Sequence, residues 1–531
     1  MSKENFIKSA AILGAAGFIV KILGAIYRIP LTSLIGTEGM GHYQPAYNIY
    51  NLLLTVSLAG FPTAIAKMVS ERRALGDYQG AYQVYKVSRW GLFIIGLLSS
   101  IFIFLFARQL VTFLGYPGSY YSMLALVPAL FAVPLLSSYR GFFQGTQNMM
   151  PIALSQIVEQ LFRISIGYFL AYKLVDIGLE KAAAGATFGA SVGGIAALIL
   201  IAAIFMTDKK DIRREIETST LNREENAWNI VKNLLYIAIP ITIGASIAPL
   251  MGVFDSYFVS SRLSFLGYTT EQITDLYGQL SGTAQTLINF PQVFSTAVAM
   301  SLVPAITEAY AKHNNNKLNL TSNTGVRLSL IIGLPCGIGM YMLATPIIAL
   351  LYSSLGPEKH ATSGGLLEVL SIGVIFLTVV QAFTAILQSV DKPFHPVKNL
   401  ALGLVVKIIL SYVLIGMPSI NIKGAAISST GAYLAVALLN LYDINRITPI
   451  KINIIKITAK PLLSTAVMAA VVWISFRLFK TVISSQGICT LGAITLAGIA
   501  YAICLLLTGA ITSEDLDLIP KGEKLKKFVR K

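Results

Sequence analysis

Three observations predict an all-α, polytopic membrane protein. The 531-residue chain is 55% hydrophobic and 12% charged, with a mean hydropathy of +0.69, whereas soluble domains carry about 25% charged residues. Its apolar residues fall in runs of about 20 or more, the length that crosses roughly 30 Å of hydrocarbon. Its Lys and Arg residues gather in alternate short loops, the pattern that sets membrane orientation.

The runs give about fourteen spans. They cover residues 6–34, 43–69, 90–113, 120–144, 150–174, 182–206, 229–259, 278–310, 325–352, 365–388, 397–416, 424–445, 459–479 and 488–509. The first follows Lys3 and Lys8 but runs on past Lys21, too long for a signal-peptide core, so it reads as an uncleaved span. One set of loops carries Lys67, Arg72, Arg73, Lys86 and Arg89, then Lys209, Lys210, Arg213, Arg214 and Arg223, then Lys312 and Lys317. Lys392, Lys398, Arg446, Lys451, Lys456, Lys460 and the basic tail fall on the same side. The opposite loops, such as GYPGSY at 115–120, are nearly bare. This asymmetry places both termini in the cytoplasm, and the expected location is the bacterial plasma membrane. It also accounts for the net charge of +16. A nucleic-acid partner is not expected, because the basic groove with interleaved aromatics is missing.

The polar run 208–228 divides the chain, and the two sides repeat. Ser70-Glu71 corresponds to Thr307-Glu308, Arg89 to Arg327, Gln144 to Gln388, Arg163 to Lys407 and Gly185-Ala186 to Gly424-Ala425. The expected organisation is an N-lobe of six spans (1–207), a cytoplasmic linker (208–228) and a C-lobe of six spans (229–446). Two added spans (447–512) and a basic tail (513–531) follow. Six-span copies have the same topology, so a pseudo-two-fold axis along the membrane normal should relate them, as in two-lobed transporters.

Polar residues inside spans narrow the chemistry. Gln44, Asn48, Asn51 and Thr55 follow i, i+4, i+7, i+11, one helical face, and Ser281, Gln285, Asn289 and Gln292 make a similar stripe. In lipid such stripes face protein or water. Either interhelical hydrogen bonding or a hydrated central cavity explains them, and in a cavity Asn48, Asn51, Gln285 and Asn289 are the expected substrate contacts.

Intramembrane charges are costly and are usually retained for function. Lys21 and Arg28 lie seven residues apart on one face of the first span, with no acid between them. They suit an anion such as a pyrophosphate, which Arg grips with a fork and Lys as a point charge. Pairing with acids of other helices, or snorkelling of Arg28, is the plainer account. Glu159 and Arg163, four apart in RGFFQGTQNMMPIALSQIVEQLFR (140–163), are placed to pair within one helix. With Arg140 and Gln144 they read as bracing of the N-lobe. Lys407 has no acid in its own span, and Asp255 is the acid considered for ion coupling.

Enzymatic motifs such as GxSxG, Walker A and HExxH are missing. No cofactor or metal is expected, and the three cysteines show no metal or disulfide spacing. Uphill transport would draw on a cation gradient or the membrane potential.

The stretches KILGAIYRIPL (21–31), GFPTAIAKMVSERRALGD (60–77), 140–163 and LVPAITEAYAKHN (302–314) resemble the MurJ/SpoVB-type flippases of the multidrug/oligosaccharidyl-lipid/polysaccharide (MOP) exporter superfamily. The likeness covers nearly the whole chain. It implies movement of an undecaprenyl-pyrophosphate-linked sugar, typically the peptidoglycan precursor lipid II, from inner to outer leaflet by alternating access. It also implies a cationic cavity between the lobes, and spans 13 and 14 shaped for a lipid tail. By position Lys21 matches a cavity cation and Arg28 falls close to a second. Better-known members carry an arginine in span 8, where this chain has neutral residues, and Lys407 is the candidate substitute. The lipid-linked glycan and membrane lipids are the expected partners. A MATE-like multidrug cation antiporter, or a non-transporting scaffold for cell-wall or spore assembly, are the alternatives.

Overall fold

The computed structural model describes residues 3–219, 221 and 225–510, with side chains from Ile12 onward. Lys3, Glu4 and Lys8 (as side chains), Arg223 and the tail 513–531 lie outside the described residues. Everything regular in it is helical. The helices are α1 (Lys3–Leu58), α2 (Gly60–Ala74), α3 (Tyr78–Phe113), α4 (Tyr120–Ala125), α5 (Val127–Gly145), α6 (Met150–Leu174), α7 (Leu179–Glu217), α8 (Ala227–Phe265) and α9 (Thr270–Gly278). After a π-helical segment at Gln279–Ala284 come α10 (Gln285–Ala311), α11 (Asn315–Met342), α12 (Ala344–Leu351), α13 (Pro357–Ser389) and α14 (Phe394–Ile415). The last three are α15 (Lys423–Ile447), α16 (Ile454–Val482) and α17 (Gln486–Leu507).

Among the described residues 11 helices are long and apolar enough to cross a membrane, or 12 if the bent pair Pro117–Ala125 and Val127–Gly145 is one span. That is two fewer than the expected fourteen, and both differences have identifiable causes. The stretch Ile12–Ala74 counts once, although its 63 residues would reach about 95 Å if straight. Gly36 interrupts it with φ 70° and ψ 179°, a conformation open essentially to glycine alone. The other is α6, which matches the expected span 150–174 to the residue but has its apolar character diluted by Glu159 and Arg163. The linker is also shorter than expected, since residues 208–217 continue α7.

The chain forms two compact units: residues 1–261 with 270–278, and 262–269 with 279–531. The break between units therefore falls near the end of α8 and not at the linker.

In the first unit two of the sequence motifs meet each other. α5 lays Gly141 and Gly145 on α2, where an added Cβ would stand 2.8 Å from Ile65 Cβ and 2.7 Å from Val69 Cβ. The spacing of glycines in RGFFQG thus serves backbone approach. Around that contact Tyr85, Phe142, Phe143 and Phe205 build the core, with ring centroids of Tyr85 and Phe205 4.8 Å apart. In the second unit α10, α11 and α13 pack through Leu302, Ile306, Val326, Leu330, Phe383 and Ile386. α16 and α17 pair through Met468, Val472, Ala493 and Ala497, and Tyr501 donates a 2.8 Å hydrogen bond to the Ile331 carbonyl of α11.

Matching local geometry recurs in the two units. Gly76 (φ 77°) precedes the α3 N-cap Asp77, whose side chain accepts from Gly80 N at 2.8 Å. In the second unit His313 (φ 50°) precedes the α11 N-cap Asn314, which accepts from Lys317 N at 3.0 Å. Gln147 (φ 60°) and Asp391 (φ 59°) hold the turns after α5 and α13. Gly167 and Gly189 bring α6 and α7 into backbone contact, and Ser411 and Ser428 join α14 and α15 by a 2.8 Å hydrogen bond at the corresponding level.

Candidate functional site

Arg28 and Tyr47 are 19 residues apart and would stand about 28 Å apart on a straight helix. The break at Gly36 brings them together, with the Arg28 guanidinium 5.8 Å from the centre of the Tyr47 ring. From α6, Arg163 lies over the same ring at 5.0 Å and donates a hydrogen bond to its hydroxyl. Tyr47 is in turn stacked on Tyr43 at 5.3 Å and tilted against Tyr50 at 5.7 Å. One phenol ring therefore gathers two arginines, and cation–π attraction helps to offset the repulsion between them.

Beside this cluster is a cavity of about 280 Å³ lined by Tyr47, Tyr50, Asn51, Thr55, Glu159 and Arg163, with Leu54, Leu58 and Ala59. Glu159 and Arg163 do share its wall, but the expected pair within α6 does not form. Glu159 is bonded at 2.8 Å to Arg140 of α5, whose Nε also donates to Ser155 Oγ at 3.0 Å. Arg140 is buried and would be costly to leave without a carboxylate, while Arg163 keeps Glu159 within electrostatic reach without bonding it. Glu159 is thereby neutralised from outside its own helix. Among the described residues Arg163 has no carboxylate within 4.0 Å, so the wall keeps a net positive charge.

The polar stripe of α1 divides. Asn51 and Thr55 line the cavity, but Asn48 is buried in packing, which corrects the expectation that it contacts substrate. It accepts from Gln44 at 2.7 Å and donates to the Gly252 carbonyl (2.8 Å), Ser256 Oγ (3.0 Å) and Tyr277 Oη (2.9 Å). Those bonds fasten α1 to α8 and α9. Asp255 is buried on α8, within electrostatic reach of Tyr116 and Tyr277. Lys21 is exposed on α1, two turns before Arg28. Gln144 is partly buried at the end of α5.

In the second unit Gln285 and Asn289 are partly exposed on the first turns of α10, directly after the π-helical segment that buries Ser281. Lys407 is 4% exposed. Gly403 and Ser411, four residues to either side, both face α15, so Lys407 lies on the packed face of α14. That placement does not support the expected role as an open cavity cation.

Tyr47 was the residue missed from sequence. Its signal was present as Tyr43, Tyr47 and Tyr50, an i, i+4, i+7 aromatic row running beside the amide stripe.

Comparison with known proteins decides the family. Residues 6–310 match the model described as polysaccharide biosynthesis protein, and residues 281–413 match the MatE model. Over 527 residues the chain is 31% identical to stage V sporulation protein B of Bacillus subtilis strain 168, covering 98% of each. The chain belongs to the polysaccharide biosynthesis protein family, in its SpoVB/MurJ branch of the MOP superfamily. Within that branch it is 27% identical over 456 residues to the lipid II flippase MurJ of B. subtilis, covering 83% of each chain. It superposes on a solved lipid II flippase MurJ in an inward closed conformation with a TM-score of 0.71, covering 94% of this chain and 98% of that one at 16% identity. An inward-facing multidrug resistance MATE family transporter aligns with a TM-score of 0.66, covering 81% and 94% at 14% identity. These structural likenesses show the fold alone; the family match and the sporulation relative make the chain a multi-pass membrane protein of the MOP superfamily.

Proposed function

We propose that the chain is a flippase that moves an undecaprenyl-pyrophosphate-linked sugar, with lipid II the leading candidate, from the inner to the outer leaflet by alternating access. The observation that carries this reading is the Arg28–Tyr47–Arg163 cluster at a cavity whose one carboxylate is already neutralised by Arg140. A net cationic, partly dehydrated wall favours an anion, and two guanidinium forks suit the oxygens of a pyrophosphate. Asn51 and Thr55 add neutral hydrogen-bonding groups for a sugar, and the Tyr50 ring an apolar face. Lys21 extends the same face of α1, and Gln285 and Asn289 are the contacts proposed in the second unit. The names carried by the relatives, a lipid II flippase and a sporulation protein, support this class of cargo.

The accompanying topology has fourteen spans, with Ile12–Ala74 taken as two on account of Gly36 and α6 taken as one. Two duplicated lobes, both termini cytoplasmic and a plasma-membrane location complete it. Asp255 is the acid proposed for coupling to a cation gradient. Reversing both Lys21 and Arg28 to Glu should abolish rescue of cells depleted of their lipid II flippase while protein abundance stays normal. Normal rescue by that double variant would overturn the assignment of the site.

A further inference from the structure

The α2–α3 turn carries two adjacent arginines, and acids of the α7–α8 linker cover both. Arg73 forms a forked pair with Glu215 at the end of α7, with Nη1 and Nη2 donating to the two carboxylate oxygens at 2.6 and 2.9 Å. Arg72 pairs with Glu225, just before α8, while its Nη1 donates to the Gly80 carbonyl at 2.8 Å. Backbone anchors reinforce the charges. Gln83 Nε2 donates to the Glu225 carbonyl at 2.8 Å, and Ser219 Oγ donates to the Gly76 carbonyl at 3.2 Å. Both arginines are largely covered, with side chains 14% and 24% exposed. The other basic groups of this edge are engaged differently: Lys86 lies over Tyr82, Arg89 over Tyr85, and Lys67 pairs with Glu71 of its own helix.

The second unit has a strap at the corresponding place, built on amides, with the Lys451 ammonium donating to the Asn445 carbonyl at 2.7 Å as its one charged contact among the described residues. Its α15–α16 connection lies on the first turns of α11. There Lys451 N donates to Asn319 Oδ1 at 2.7 Å, and Asn323 Nδ2 donates to the Lys451 carbonyl at 3.2 Å. Ile452 N donates to Asn445 Oδ1 at 2.9 Å on the same strap.

We infer that the α2–α3 turn is a docking surface for an acidic peptide whose occupant is the chain's own linker, and that it works as a releasable ionic latch on the first unit. Closed, the latch holds the end of α7 and the start of α8 against α2 and α3. Opened, it frees them. The strap of the second unit is held by amide hydrogen bonds and one ammonium-to-carbonyl bond, with no ion pair for salt to screen, so ionic strength acts mainly on the first unit. The inference does not depend on what the chain carries.

The test is thiol cross-linking in the full-length protein in membranes. Gln79→Cys and Ser219→Cys are joined with a short bifunctional reagent, since Gln79 N and Ser219 Oγ are 3.5 Å apart. Leu320→Cys, exposed and next to Asn319, and Lys451→Cys report the second strap and leave its backbone-to-amide bonds intact. Raising salt towards 1 M should slow the first cross-link about fivefold and leave the second unchanged, since an ion pair worth about 1 kcal/mol changes a population by that factor. Arg73→Glu or Glu215→Arg alone should slow the first to a similar degree, and the charge-swapped double variant should restore it. Equal salt response of both straps, or a double variant as slow as the singles, would overturn the latch. The salt arm needs no charge variant, so a variant that fails to fold does not blunt the test.

Discussion

At the scale of single residues, the decisive groups are those whose partners lie on other helices. Arg140 and Glu159 form an interhelical ion pair with little exposure on either side. Truncating Arg140 to Ala should leave the carboxylate uncompensated and cost about 2–3 kcal/mol, somewhat below a fully buried pair because Glu159 keeps some exposure. Thermal unfolding in detergent should show a lower midpoint for Arg140→Ala, and the further change Glu159→Gln should recover part of it. A midpoint that does not move would mean the pair contributes nothing. Tyr47 makes a second residue-scale prediction. Tyr47→Leu removes the platform shared by Arg28 and Arg163 and should weaken binding of a pyrophosphate headgroup about tenfold, taking roughly 0.5–1 kcal/mol for each cation–π contact. Tyr47→Phe keeps the ring and should retain most of the affinity in the same binding titration.

These residues also mark where sequence stops being informative. Lys21, Arg28, Glu159 and Arg163 stand out because charges inside apolar runs are rare. Their pairing could not be read, because an i, i+4 spacing shows which groups can meet and not which partner from another helix wins. Asn48 illustrates the converse. Its spacing put it on the same stripe as Asn51, yet one turn along the helix separates a packed clamp from a cavity wall.

At the scale of elements, helix limits were largely legible. α6, α14 and α15 begin and end close to the expected spans, since apolar runs bounded by turn residues define them well, whereas α13 begins at Pro357, ahead of the expected 365. Breaks inside runs were less so. Gly36 sits within what composition reads as a span boundary, while α1 ends at Leu58 and α2 begins at Gly60, packed against the Ala238 carbonyl of α8, where a single span to residue 69 was expected. The glycines of RGFFQG give an element-scale prediction. Gly145→Leu should force α5 from α2 at the cost of about 1–3 kcal/mol, the usual range for overpacking. Fluorescence-detected size-exclusion should then report a smaller monodisperse fraction, and an unchanged profile would show that the α2–α5 contact tolerates added volume.

At the scale of the whole molecule, turns, caps and small-residue contacts recur in the two units, and the units do not divide at the linker. The family follows from similarity along nearly the full length, and the cargo is argued from the cationic wall of the first unit. Flipping by the purified, reconstituted protein, with lipid II compared against other polyprenyl-linked sugars, tests that claim most directly. The account predicts transfer of lipid II well above protein-free vesicles, cut about tenfold by Arg28→Gln or Arg163→Gln, as loss of one charge-assisted grip on the pyrophosphate implies. Failure to move any pyrophosphate-linked sugar, or full transfer by both variants at normal reconstitution, would contradict it.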